Sequence, residues 1–396
     1  MGEERDCPHS EGAALKTHSW GKTLFILAGE ASGDLQAAEL AKRLAPHYHL
    51  IGVAGPRMRA AGVEAYLPME EFQLMGFTDV LKTLPKLILQ FRTLRDRLLA
   101  RHPDAVILVD YGGFNIRLAT SLRKHGYRGK IFYYIGPKVW AWGKGRIPKL
   151  AKSVDLMMAI MPFEPEVYAG SGLRCEYVGN PLTQLVEGYA SGDEFLLGLF
   201  PGSRRSEIKL NLPHMLEAAA FLKRQHPDLK IEISVANEGV RPLIEKLTKG
   251  QIPLTPDSYP LMLRCRAALA TSGTVTLELG LRKVPTVVVY RVSLLNAFLA
   301  RCLFRINLPY YGLVNIIANE NLFQERIHTR LSPEKTAAYV DELLRETPQR
   351  AKVIAGCERV IELLKSDDPA MRCAKLIREL LPPIATYRAE GAAGVL

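Results

Sequence analysis

The 396-residue chain is longer than one ordinary hydrophobic core supports, so two α/β domains are expected. Its 48% hydrophobic and 23% charged residues exclude a disordered or fibrous chain, and no apolar run approaches the ~20 residues a membrane-spanning helix needs. A formal charge of +11, with an isoelectric point near 9.3, predicts acidic partners: nucleotide phosphates, nucleic acid or anionic lipid.

Residues 1–20 contain no apolar core of signal-peptide length and read as a poorly ordered lead-in. From residue 23, short apolar runs alternate with helical patterns. Strands are expected at 23–27, 50–54, 105–109, 130–135, 156–160 and 176–178. Helices fall between them at 35–44, 72–101 (bent at Pro85), 116–124 and 164–169. A polar stretch follows Asn180-Pro181, and then the alternation restarts. Strands come at 195–200, 230–235, 267–270 and 286–290, with helices at 212–224, 240–247, 274–281 and 293–304. From Pro333 the chain reads as helix alone.

Alternating βα units imply parallel sheets covered on both faces. The restart implies two Rossmann-like, doubly wound sheets with a ligand cleft between the C-terminal ends of their strands. The expected organisation is an N-terminal domain over 21–185, a second over 195–365, and a C-terminal helix and tail over 366–396. The six cysteines are scattered, with no C-x-x-C, which suits buried thiols in a reducing cytosol.

Four loops carry candidate chemistry. AGEASGD (28–34) turns tightly after a strand but is not G-x-G-x-x-G, and its Glu30 and Asp34 would repel a pyrophosphate. With Ser32 these carboxylates suit a hydroxyl-rich ligand; otherwise Ser32 or Asp34 caps an ordinary βα turn. LVDYGGFNI (108–116) ends a buried strand on Asp110, where a general base faces a cleft, and Asn115 can orient it or cap the next helix. Aspartate is also a common turn residue, and Asp110 would then be a cap alone.

LGLFPGSRRSEIKL (197–210) lacks the G-K-[ST] of a P-loop. Gly202 and Ser203 offer backbone N–H groups and Arg204 a guanidinium fork, equipment that fits a diphosphate. Its plain alternative is a solvated charge run at Arg204 and Arg205. ATSGTVTLELG (270–280) sets Ser272, Gly273 and Thr274 at a helix start, an anion seat. Glu278 follows one turn on, where a carboxylate can accept both hydroxyls of a ribose. Read alone, Ser272 and Thr274 are N-caps.

Two segments, 74–102 and 293–311, mix leucine and phenylalanine with lysine and arginine. Such helices lie on an anionic membrane surface or face a core with a solvated basic edge. No H-E-x-x-H, G-x-S-x-G or D-x-D occurs, so neither a metal nor a cofactor is expected.

The segments AGEASGD, GVAGPRM (52–58), MEEFQLMGFTDVL (69–81), Asp110 with FNI, KVWAWGKGRI (138–147), PFE (162–164), PGSR (201–204), SGTVTLE (272–278) and Tyr290-Arg291 resemble the lipid-A-disaccharide synthases, in family order over 24–330. The resemblance implies the two-domain GT-B fold. It also implies inverting transfer of 2,3-diacylglucosamine from its UDP derivative to 2,3-diacylglucosamine 1-phosphate, giving a β-1,6-linked disaccharide 1-phosphate and UDP.

By the same resemblance Asp110 is the general base, Arg204 serves the diphosphate, Glu278 lies near the ribose, and Arg291 and Asn315 belong to the donor region. The implied setting is the cytoplasmic face of the inner membrane, with membrane lipids at 74–102, a homodimer and no nucleic acid. Three positions depart from the family pattern: Gly112 and Val314 where proline is usual, and His328 where glutamine is usual. The alternatives are another UDP-sugar enzyme of the same fold, an epimerase or a transferase with a soluble acceptor, and a basic nucleic-acid-binding protein.

Overall fold

Runs such as Thr23–Ala28, apolar throughout after their first residue, have no polar face to offer solvent, and they pair at the centre of a parallel sheet. The computed structural model describes residues 21–72, 80–141, 143–192, 194–291, 309–327 and 332–384. In chain order the first half holds β1 (Thr23–Ala28), α1 (Ala31–Leu44), β2 (His49–Ala54), α2 (Pro56–Ala60), β3 (Glu64–Pro68), α3 (Met69–Phe72) and α4 (Val80–Arg101). It continues with β4 (Ala105–Val109), α5 (Gly112–Lys124), β5 (Lys130–Tyr134), α6 (Ile147–Ser153), β6 (Leu156–Ala159), α7 (Glu164–Tyr168) and β7 (Cys175–Tyr177).

The second half holds β8 (Leu196–Phe200), α8 (Arg205–Gln225), β9 (Lys230–Val235), α9 (Arg241–Thr248), β10 (Leu254–Pro256), α10 (Ser258–Arg264), β11 (Ala267–Thr271), α11 (Thr274–Leu281) and β12 (Thr286–Tyr290). Then come α12 (Leu313–Ala318), β13 (Glu325–Ile327), α13 (Pro333–Leu344), α14 (Pro348–Leu364) and α15 (Pro369–Leu380).

Two parallel sheets result, in the orders β3-β2-β1-β4-β5-β6-β7 and β10-β9-β8-β11-β12-β13. Helices bury both faces of each sheet: Leu40 and Leu44 of α1 lie on one side of the first, Leu94 of α4 and Leu118 of α5 on the other. Each such side chain contributes about 1.5–3 kcal/mol by leaving water.

Helix α15 returns from the second lobe to the first, where Cys373, Ala374 and Ile377 join the core formed by Ala37, Leu40 and Ala41 of α1. Asp368 caps α15 by accepting from the Met371 amide at 3.0 Å and also takes the Arg43 guanidinium of α1. Across the junction the Tyr177 hydroxyl donates to the Leu364 carbonyl at 3.2 Å, and Met161 packs into the second lobe's core.

Three helices start earlier than expected. Helices expected from 35, 116 and 212 begin at Ala31, Gly112 and Arg205. Those first turns are mostly small, polar or charged, with Phe114 and Ile208 their lone large apolar residues, and Pro213 stands inside α8 instead of opening it. The helix expected over 72–101 is α3 and α4, with 73–79 outside the described residues; α4 runs as one helix through Pro85. The helix expected at 293–304 and the His328 position also lie outside them. Strands β3, β10 and β13 are short edge or near-edge strands carrying Glu64, Thr255 and Glu325, too polar to announce themselves as apolar runs. Among the described residues no helix is long and apolar enough to cross a membrane.

Candidate active site

In each sheet the strand order reverses once, between β1 and β4 and between β8 and β11. Ligands of doubly wound sheets bind at that switch point, outside the C-terminal strand ends. The four candidate loops leave from these four strands: AGEASGD from β1, Asp110-Tyr111 from β4, PGSR from β8 and TSGT from β11.

Asp110 and Tyr111 both adopt left-handed backbone, with φ of 50° and 49°. Such conformations cost about 1–3 kcal/mol each in non-glycine residues and persist only where neighbours hold them. Here the Asn115 amide donates to the carbonyls of Asp110 (2.8 Å) and Val109 (3.3 Å), and the Tyr133 hydroxyl donates to the Asp110 carbonyl at 2.9 Å. The Asp110 N–H donates to the Tyr134 carbonyl at 3.0 Å. Gly29 gives the Tyr111 ring room, since a Cβ there would lie 2.7 Å from it. With its backbone secured in this way, the Asp110 carboxylate is partly buried at the sheet end. Burial pushes its pKa up, while the Tyr111 amide and the Lys138 ammonium pull it down.

Lys138 and Glu164 complete the first lobe's contribution. The Lys138 side chain meets solvent, yet protein surrounds much of it. Desolvation lowers its pKa, Asp110 and Glu164 raise it, and Arg204 of the second lobe lowers it. Lys138 thus feels charges from both lobes. Glu164 is 3% exposed. It accepts from Trp140 Nε1 at 3.2 Å and from the Ile160 and Met161 amides at 3.2 and 3.0 Å. Burial nevertheless pushes its carboxyl up to about 7.

Across the cleft, Gly202 (φ 103°) makes the turn from β8 into α8. A Cβ there would lie 2.9 Å from both a Glu207 carboxylate oxygen and the Thr271 methyl. Arg204 precedes the first residue of α8, has a side chain 77% exposed, and pairs with Glu207 at 2.9 Å. The Asn237 amide donates to the Ser203 carbonyl at 3.3 Å.

Ser272 Oγ donates to the Tyr311 carbonyl at 2.9 Å, leaving Gly273 and Thr274 at the start of α11. Glu278, one turn on, is half-buried, and its carboxylate accepts no hydrogen bond from the described residues. Burial raises its pKa, Arg282 lowers it and Asp257 raises it again. A guanidinium at a helix N-terminus suits a diphosphate, and an unengaged carboxylate suits paired hydroxyls.

A family model described as lipid-A-disaccharide synthetase matches residues 24–377. The lipid-A-disaccharide synthase of Geobacter sulfurreducens is 36% identical over 391 residues, covering 92% of this chain and 99% of that protein. The chain belongs to the lipid-A-disaccharide synthase family. The synthase of Nitrosococcus oceani is 38% identical over 365 residues, covering 85% of this chain and 93% of its own.

Among solved structures, S. aureus MnaA in a co-structure with UDP matches with a TM-score of 0.58 at 13% identity, covering 92% of this chain and 98% of that one. The calicheamicin glycosyltransferase CalG4 matches with a TM-score of 0.57 at 16% identity, covering 92% and 100%. Likenesses this remote give the fold, which is the GT-B arrangement of two facing Rossmann-like sheets. As a member of its family the protein is a glycosyltransferase.

Two residues expected to face substrate in this synthase fold are engaged elsewhere. Asp34 is 2% exposed, and its carboxylate accepts from the Arg57 and Met58 amides at 2.9 and 3.1 Å. It caps α2, which starts one residue after Gly55, where a Cβ would strike the Asp34 carboxyl at 2.4 Å. Asn315 is fully buried: its carboxamide accepts from the Phe323 amide and donates to the Phe323 carbonyl, both at 2.7 Å, and donates to Glu325 at 2.8 Å. It folds the turn from α12 into β13 and does not line the cleft.

Asn115 is likewise fully buried and acts through the backbone of Asp110. Glu30 and Ser32 are exposed beside the Tyr111 turn, and the Arg291 amide donates to Asn211 Oδ1 at 2.7 Å where β12 ends. At Gly112, a departure from the family pattern, a Cβ would lie 3.0 Å from Pro137 Cβ. Lys138 and Glu164 escaped the residue-level reading although both stand in segments, KVWAWGKGRI and PFE, that carry the family resemblance.

Proposed function

We propose that the protein transfers 2,3-diacylglucosamine from its UDP derivative to 2,3-diacylglucosamine 1-phosphate, with inversion, forming the β-1,6-linked disaccharide 1-phosphate and UDP. The observation that supports this reading is that the Asp110 carboxylate ends β4 at one switch point and the Gly202–Arg204 turn opens α8 at the other. A sugar hydroxyl is a weak nucleophile near neutral pH, so a base must take its proton as it attacks. Asp110 takes the acceptor proton, the acceptor oxygen bonds to the donor's anomeric carbon, and the bond from that carbon to the β-phosphate oxygen breaks with its electrons. Arg204 and the N–H groups of Gly202, Ser203 and the α8 start stabilise the departing diphosphate, and Glu278 takes the ribose. Residues 21–185 act as the acceptor lobe and 195–365 as the donor lobe.

Acylated substrates need an apolar approach. Helix α4 packs on the core through Leu94 and Leu98 and presents Ile88 and Leu89, 44% and 66% exposed, with Arg92, Arg97 and Arg101 also exposed. The Phe91 ring meets Phe114, three residues after Tyr111, at 5.3 Å between centroids. We place this helix against the cytoplasmic face of the inner membrane, beside the acceptor site, in a protein that works as a homodimer.

The direct test incubates the protein with both lipid substrates in detergent and EDTA and characterises the product by NMR. Acceptor-dependent release of UDP with a β-1,6 linkage is expected. Release of UDP without acceptor would replace the reading with an epimerase or hydrolase.

A further inference from the structure

We infer that Asn211 is a positioning residue of the donor site: its buried carboxamide ties the start of α8 to the ends of β11 and β12, and through Thr271 it keeps the Gly202 turn and the α11 start in one fixed arrangement for a diphosphate. The inference rests on the reading of residues 195–365 as the donor lobe.

Asn211 lies late in the second turn of α8 and is fully buried. Its neighbours on the buried face of that helix, Ile208, Leu212 and Met215, are apolar core residues. Packing alone therefore gives no reason for an amide here, since a buried polar group is costly unless its hydrogen bonds are met. All of its polar atoms are engaged. Oδ1 accepts from the Arg291 amide, just beyond β12, at 2.7 Å, which fixes the way the carboxamide faces. Nδ2 then donates to the Glu207 carbonyl, one turn back, at 2.9 Å and to Oγ1 of Thr271, the last residue of β11, at 3.2 Å.

Thr271 carries this hold to the loops. It is 3% exposed and leads directly into Ser272-Gly273-Thr274. Two heavy atoms on its Cβ make its side chain stiff, so a hydroxyl fixed by Asn211 also fixes the methyl. That methyl abuts the Gly202 turn, where a Cβ would lie 2.9 Å from it. Glu207, whose carbonyl Asn211 engages, meets the same turn through its carboxylate and pairs with Arg204 at 2.9 Å. Asn211 is thus one bond from Thr271, before the α11 start, and one bond from Glu207, beside the Gly202–Arg204 turn. Donors already set at a fixed spacing bind a diphosphate without the cost of ordering two loops at each encounter.

The test measures the Kd for UDP by calorimetric titration, and the KM for donor and acceptor, on the full-length chain. It compares wild type with Asn211→Ala, Thr271→Val and the double variant. Asn211→Ala should raise the UDP Kd and the donor KM by ~10-fold and leave the acceptor KM unchanged. Thr271→Val keeps the methyl and removes only the oxygen that Asn211 engages, and it should raise both by ~3-fold. The double variant should bind UDP no more weakly than Asn211→Ala, because both substitutions break the same link. A role in packing alone would reduce the folded fraction, lowering the apparent kcat with Kd and both KM values unmoved, and that result overturns the inference. Additive losses in the double variant overturn it as well. If Asn211→Ala does not fold, Thr271→Val decides: weaker UDP binding supports the inference and unchanged binding overturns it. A wild type that does not bind UDP removes the donor-lobe reading and the inference with it.

Discussion

Arg204 extends into solvent, paired with Glu207 across a single turn of α8. An exposed pair of this kind contributes about 0–1 kcal/mol to stability, so its removal is a clean probe of binding. Arg204→Ala should leave the melting temperature within error and weaken UDP binding by ~10–100-fold, the loss expected of a charged hydrogen-bond donor. Calorimetric titration with UDP checks this, and an unchanged Kd would place the diphosphate elsewhere.

Glu164 makes the opposite case, a buried carboxyl raised from its ordinary 4.5 to about 7. Its contribution to stability is fully present below pH 4.5 and is lost as pH rises through about 7, on the order of 3 kcal/mol at full ionisation. Glu164→Gln should flatten that part of the stability curve in thermal melts across this range; curves parallel to wild type would show that Glu164 does not titrate there.

At this scale the sequence was only partly legible. Asp110, Arg204 and Glu278 announce themselves as charges beside glycine or at helix starts. Lys138 sits in an irregular loop, and Glu164 opens the short α7, where a carboxylate reads as an ordinary first-turn residue. Asp34 misled because its partners, the Arg57 and Met58 amides, lie beyond the following strand.

Among the elements, the apolar run of β12 was readable because burial on both faces leaves it few polar positions, and β9 was readable from apolar residues alternating with Lys230, Glu232 and Ser234; they occupy the expected ranges, 286–290 and 230–235. The edge strands β3, β10 and β13 and the starts of α1, α5 and α8 were not, whereas the edge strand β7 lies within one residue of its expected range and α7 and α11 start where expected. The early starts of α1, α5 and α8 matter most, because they bring helix N-termini to the cleft.

Helix α4 joins local pattern to function. Leu94 and Leu98 turn to the core, while Ile88 and Leu89 stand exposed and offer an apolar surface. The double substitution Ile88→Glu, Leu89→Glu should reduce binding to anionic vesicles by ~10-fold or more, with little change in melting temperature. Retained vesicle binding would remove α4 from the membrane contact.

For the whole molecule, the restart of βα alternation after Asn180-Pro181 made two sheets legible. The return of α15 was not, because nothing in an amphipathic helix names the surface it will cover. That return ties α15 to α1 through Arg43 and Asp368, so the two lobes are joined both near residue 180 and through the α14–α15 connection. Such a double crossing fits lobes that keep their switch points facing each other while substrates enter between them.

The central claim is that the cleft between those switch points performs an acceptor-dependent transfer with Asp110 as its base. The most direct test compares acceptor-dependent UDP release by wild type and Asp110→Asn, with melting temperature and UDP affinity measured on both. A fall of ~10²-fold or more, at unchanged fold and UDP affinity, is the predicted result. An Asp110→Asn protein that turns over at the wild-type rate would contradict it.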